Sequence, residues 1–308
     1  MQHVLSSVTV IIWVFTLTFS VHAQKQSDRE IKGLKGTVKS YAEKEGDYEN
    51  KFGKWVKQPA VPLGHYEFSK EGYRTRYPYA GQESQGYFIE TVDRKGNVLT
   101  SKLFTPKGKL LLSSKGSVDA NGLLSETVDD IGTKTIFTYD SAGLITEENE
   151  YFDDGKLMKK TINEYDRSGH IVRSRRYNKD GEVDREILTS YDDRGYESSV
   201  ETLTDGIRAS KHLYQNDTLG RDTISIECVS YGDAPVERNE LRYNKQGDLV
   251  SLVTYDGTDK VPSSTIKLSY VYDSHGNWIE KSRTKIEEEF GKLTERPFAV
   301  NYRTIIYY

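Results

Sequence analysis

Apolar and polar residues alternate with period two through most of this chain, and glycine breaks the alternation at regular intervals. From Ile171 one face carries Arg173, Arg175 and Tyr177; from Val183 it carries Arg185, Ile187, Thr189 and Tyr191. Period two, with Tyr and β-branched residues filling the gaps, predicts strands. Gly96, Gly122, Gly143, Gly169, Gly195, Gly220, Gly247 and Gly276 recur about every 26 residues. A second series, Gly108, Gly132, Gly155, Gly181, Gly206, Gly232 and Gly257, falls halfway between. Two turns per period mean two strands, so the unit is a β-hairpin repeated edge to edge. The pattern predicts an all-β fold: a repetitive antiparallel β-meander of stacked hairpins in a curved or twisted elongated sheet. A helical reading fails because a turn interrupts about every 10–14 residues.

The first glycine series has its own chemistry. Tyr139-Asp140 precedes Gly143, Tyr165-Asp166 precedes Gly169, Tyr191-Asp192 precedes Gly195, Tyr243-Asn244 precedes Gly247 and Tyr272-Asp273 precedes Gly276. An Asp at the start of a type I turn accepts bonds from the turn's own amides, and Gly takes the left-handed position at its end. A three-residue hairpin loop of this kind pairs Asp166 with His170 and sets Tyr165 opposite Ile171. The same count pairs Tyr139 with Ile145, Tyr243 with Leu249, Tyr272 with Trp278, Val92 with Val98 and Val118 with Leu124. Each aromatic–aliphatic pair stabilises its hairpin by roughly 0.2–1 kcal/mol.

The ends depart from the repeat. Residues 1–23 read as a signal peptide, with an apolar run from Val4 to Ser20 and small residues before Gln24. No Cys stands at the cleavage point, so the expected product is secreted or periplasmic and not lipid-anchored. Residues 24–85 carry the repeat weakly, around Phe68 to Gly72, and read as an N-terminal cap region. Residues 86–281 form the hairpin array, and 282–308 a C-terminal cap strand. The stretch 204–235 is the most degenerate, with Asn216-Asp217 in place of Tyr-Asp.

Composition narrows the function classes. Among 308 residues, 43 basic and 47 acidic side chains are interspersed, giving a net charge of −4. No basic stripe stands out, so nucleic acid is not the expected partner. Hydrophobic residues make up 35%, with 22 Tyr against 10 Phe, which suits a thin Tyr-packed sheet better than a thick closed core. A single cysteine, Cys228, excludes an intrachain disulfide and reads as a small buried side chain.

No nucleophile elbow, phosphate loop or zinc-binding helix motif is present in the sequence. His65, His170, His212 and His275 lack metal-ligand spacing from one another; His170 and His275 fall in turns and read as exposed. Acidic pairs such as Asp129-Asp130, Asp153-Asp154 and Asp192-Asp193 have a structural reason in their turns, so no metal or cofactor is expected. An outer-membrane barrel is not expected either. Arg173, Arg175 and Arg176 charge both faces of one strand, which a lipid face penalises by roughly 2–4 kcal/mol at mid-depth.

The Tyr-Asp-x-x-Gly-x-hydrophobic pattern resembles the YD repeats of the rearrangement-hotspot (RHS) family. The chain is also similar to secreted repeat proteins of Bacteroidetes-type bacteria, through Leu34 to Ser40, the turns of residues 92–276, and Asp273 to Ile279. The resemblance implies a curled β-sheet and a carbohydrate-binding role. It lacks the long array and the C-terminal effector domain of the large toxin members, so toxin delivery is not implied. The expected function is a non-enzymatic binding or scaffold module for a glycan or a cell-envelope protein. The alternatives are a cell-envelope hydrolase with a carboxylate pair, or a small toxin-associated protein. For any single Tyr, packing between strands is the favoured explanation over ligand contact.

Overall fold

The computed structural model describes residues 26–228, 232–289 and 292–308. The segment read as a signal peptide lies outside the described residues. Twenty-one antiparallel strands form one sheet, and from Val61 onward each pairs with the next in chain order. The reason is local. In the turn after Tyr165, the Asp166 carboxylate accepts from the Ser168 and His170 amides, and the Gly169 amide donates to the Asp166 carbonyl. Gly169 stands at φ +83°, which glycine adopts without a Cβ penalty. Tyr165 faces Ile171 across a register shift. The other expected pairs form in the same way, Tyr139 with Ile145, Tyr243 with Leu249 and Tyr272 with Trp278.

The meander closes on itself. The strand Val38–Lys51 pairs on one side with Val61–Phe68 and on the other with the last strand, Lys292–Tyr307. Glu43 thereby lies directly opposite Arg303. Twenty strands make the closed wall; the short strand Lys54–Lys57 pairs only with the end of Val38–Lys51. Closure leaves the wall without an open edge.

The pairing register divides the side chains between two faces. Tyr41, Glu43, Tyr77, Glu90, Glu148, Thr189, Leu241, Tyr270 and Asn301 share one; Ile89, Arg173, Arg175, Glu186, Val271 and Ile306 share the other. Tyr41, Thr189, Leu241 and Asn301 are buried, whereas Ile89, Val271 and Ile306 are exposed. Burial pushes the carboxyls of Glu90 and Glu148 upward. The first face is therefore the inner one. Most of its mid-wall residues are half-buried, as a lining is, and barrels of 16–18 strands already leave an aqueous channel.

The outer face carries ion pairs: Arg173 with Glu186, Arg175 with Glu164, Lys160 with Glu147 and Arg208 with Glu201. Among the described residues, no helix is long and apolar enough to cross a membrane.

One mouth is covered from within. The short helix Asp28–Ile31 opens with a capping box between Ser27 and Glu30. Arg29 donates its amide to Gly72, and Asp28 pairs with Arg74. Behind it, Leu34 packs with Val38, Tyr41 and Phe68 against Tyr66, Ile305 and Tyr307, the compact apolar core among the described residues. Lys35 and Asn277 exchange two hydrogen bonds of 2.8 Å. The aspartate turns of the first glycine series all stand around this mouth.

His170 corrects an expectation. Its side chain is only 13% exposed, pairs with Asp166 and stacks on Tyr191 at 4.5 Å. His170, like Tyr73 and Tyr196 after their own turn glycines, reaches the next turn, so a position exposed on an isolated hairpin is covered in the stack. His275 is exposed, yet stacks on Tyr307 at 3.9 Å. Cys228 is buried, as expected.

Candidate binding surface on the inner wall

The motif tyrosines line the inner wall beside the covered mouth in a row, one to each pair of strands. Three of their hydroxyls are bound to the backbone of the preceding hairpin. Tyr139 donates to the Leu124 carbonyl at 2.7 Å, Tyr165 to Ile145 at 2.7 Å and Tyr191 to Ile171 at 2.9 Å. Each acceptor is the residue opposite the closing residue of the previous hairpin (Val118, Tyr139 or Tyr165), where the register shift interrupts the ladder. At the degenerate repeat Asn216 takes the tyrosine's place, its side-chain amide donating to Glu197 at 2.6 Å. Near the end of the array Tyr270 donates to Leu249, while Tyr272 donates to Asp248 and accepts from Asn244. Asp140, Asp166, Asp192, Asn244 and Asp273, with Gly143, Gly169, Gly195, Gly247 and Gly276, build the turns. They stay one per hairpin and do not converge on a single cleft.

Two features of the wall escaped the sequence pattern. Two residues after most turn glycines comes an apolar side chain, such as Ile145, Ile171 or Leu249. At two successive turns the position holds Glu197 and Asp222 instead. Burial, with a further push from Glu197, raises Asp222 to about 6. Burial, with both carboxyls, pushes Tyr214 up to about 12, and burial, with Asp222, pushes Tyr243 up to about 12. The substitution is visible in the sequence once the position is known to face inward.

The second feature lies where the wall closes. Lys281 pairs in register with Asn301, and Asn301 with Glu45. Arg303 bonds Glu43 and lies 3.5 Å from the Trp278 ring centroid. Arg283 and Asn301 both donate to Glu45. Lys281 sits 4.8 Å over Trp278, and Lys32 sits 5.0 Å over Tyr66. Burial holds both ammonium groups below their ordinary value. These residues come from the two ends of the chain, so no local motif announces them. Among the described residues no group of three or more His, Cys, Asp and Glu side chains could hold a metal.

Residues 118–150 match the family described as RHS Repeat. The repeat is RHS-like. No curated protein matches the chain. Among solved structures, a porin-like protein from Bacteroides uniformis is similar at 12% identity and TM-score 0.39, over 87% of this chain and 98% of that one. A TcdB2–TccC3 structure is similar at 10% identity and TM-score 0.33, over 82% of this chain and 19% of that one. The Tc holotoxin pore of Photorhabdus luminescens is similar at 11% identity and TM-score 0.32, over 80% and 18%. This RHS-like chain thus spans less than a fifth of those two longer chains.

Proposed function

We propose that this protein is an exported, non-enzymatic binding module that holds a carbohydrate against the inner face of its closed wall. The observation that carries this reading is the band of half-buried tyrosines lining the wall, four of them with their hydroxyls tied to backbone carbonyls. Rings fixed in this way lose little freedom on binding, and sugar faces stack on them. Acidic, basic and amide side chains between them offer bonds to hydroxyls. A glycan array probed with the purified protein tests the reading. Binding to a defined saccharide, weakened when Tyr214 is changed to Ala, is the expected result; no binding to any envelope polysaccharide ends it.

One observation favours a second reading, glycoside hydrolysis. Asp222 titrates near 6 beside another acid, as a general acid does. The reading ranks second because Glu197 and Asp222 stand on one wall, whereas glycosidase carboxyls flank the scissile bond. Release of reducing ends from a bound glycan, abolished in Asp222→Asn, would promote it.

A further inference from the structure

We infer that the inner wall around Lys281, Arg283 and Asn301 is a subsite for an acidic saccharide, taking the acid group on the two cations and a neighbouring hydroxyl on the amide. The inference rests on the carbohydrate reading and names the class of sugar.

The charges at the closure do not balance. Lys32, Lys281, Arg283 and Arg303 face two carboxylates, Glu43 and Glu45. Both carboxylates are already engaged, Glu43 by Arg303 and Glu45 by Arg283 and Asn301. Among the described residues, Lys281 has an aromatic face beside it and no carboxylate within ion-pair distance; Lys32, over Tyr66, lacks one too but is exposed to solvent. The Arg283 Nε is buried with no partner. Buried donors left unmatched cost free energy, and a bound anion recovers it.

Asn301 identifies the rest of the ligand. It is 3% exposed, and its Nδ2 is turned to Glu45 at 2.9 Å, which fixes the direction of the amide. Its Oδ1 is buried and without a partner. That oxygen accepts only, so it calls for a donor next to the anion. Sulfate lacks a donor at neutral pH; an acidic sugar offers hydroxyls beside its acid group. Elsewhere the inner wall carries the acids Glu148 and Asp222, held up by burial, and Arg185, whose buried Nε also lacks a partner. What sets the closure apart is that Lys281 and Arg283 stand there beside an amide oxygen with a free acceptor.

Calorimetric titration with a tetragalacturonate, its methyl ester and sodium sulfate tests the subsite. The acid should bind at least tenfold more tightly than the ester, and Lys281→Gln should remove most of that difference. Lys281 has no ion-pair partner to strand, so the variant should keep its circular dichroism and melting. Equal affinity for acid and ester would overturn the subsite while leaving the carbohydrate reading intact. So would unchanged affinity in Lys281→Gln. Full displacement of the acid by equimolar sulfate would reduce the site to an anion hole and overturn the saccharide claim. Binding of neither acid nor ester, with a neutral glycan bound on an array, would again remove only the subsite. No saccharide bound by either method would remove both.

Discussion

The hydroxyl of Tyr165 donates to the carbonyl of Ile145 at 2.7 Å, and Ile145 is the residue that faces Tyr139 one hairpin earlier. Each repeat is thus fastened to the one before it at a carbonyl beside the interrupted ladder. This explains a preference for Tyr over Phe that ring packing alone does not. Changing Tyr165 to Phe keeps the ring and removes only the donor. The expected loss is about 1–2 kcal/mol, because a half-buried carbonyl is left unmatched. Urea unfolding checks it, and a loss near zero would mean that the ring alone matters.

The turn glycines separate into two kinds. Gly155, at φ +79°, has open space where a Cβ would stand; Gly220, at φ +76°, would place a Cβ 2.3 Å from the Tyr196 ring. Gly155→Ala should cost about 1–2 kcal/mol of backbone strain. Gly220→Ala should cost a further 1–3 kcal/mol or so, because the ring must move. Equal losses in denaturant titration would contradict the stacking of one turn on the next.

Much of this was legible in the sequence because it is local. Asp166, Gly169 and Ile171 lie within one turn of Tyr165, so their spacing sets loop length, register and facing pair. Closure was not legible. Glu43 and Arg303 meet across 260 residues, and Val38–Lys51 carries no repeat to mark its partner. The tyrosine donors were hidden for a related reason: their acceptors are carbonyls on another hairpin, which no residue type reveals. His170 was misread because a lone hairpin leaves it exposed. The inner carboxyls needed a facing direction before Asp222 could be told from the many turn acids.

Asp222 gives the fold a pH dependence. Burial, aided by Glu197, lifts its folded value to about 6, against the ordinary carboxyl value of 3.8 in the unfolded chain. Between those values the folded protein holds a proton that the unfolded chain has released. Its contribution is therefore fully present below about pH 4, declines as pH rises to about 6, and is absent above. The swing should be about 1–2 kcal/mol after allowance for solvent screening. Asp222→Asn should flatten this segment of the stability–pH curve; an unchanged slope would place the titration elsewhere.

Asn277 holds the covered mouth shut. It is 4% exposed, accepts from the Lys35 amide, and donates to the Lys35 carbonyl and to the Tyr307 hydroxyl, each at 2.8 Å. Asn277→Ala removes all three bonds and leaves the partly covered Lys35 backbone groups to water, at a cost of about 1–3 kcal/mol. The effect should be local, because repeats transmit strain mainly to their neighbours. Hydrogen exchange should quicken over residues 29–38 and the strand Lys292–Tyr307, while amides of the Tyr165 and Tyr191 hairpins keep their protection. Uniform loss of protection around the wall would instead show that the closed sheet opens as a single unit.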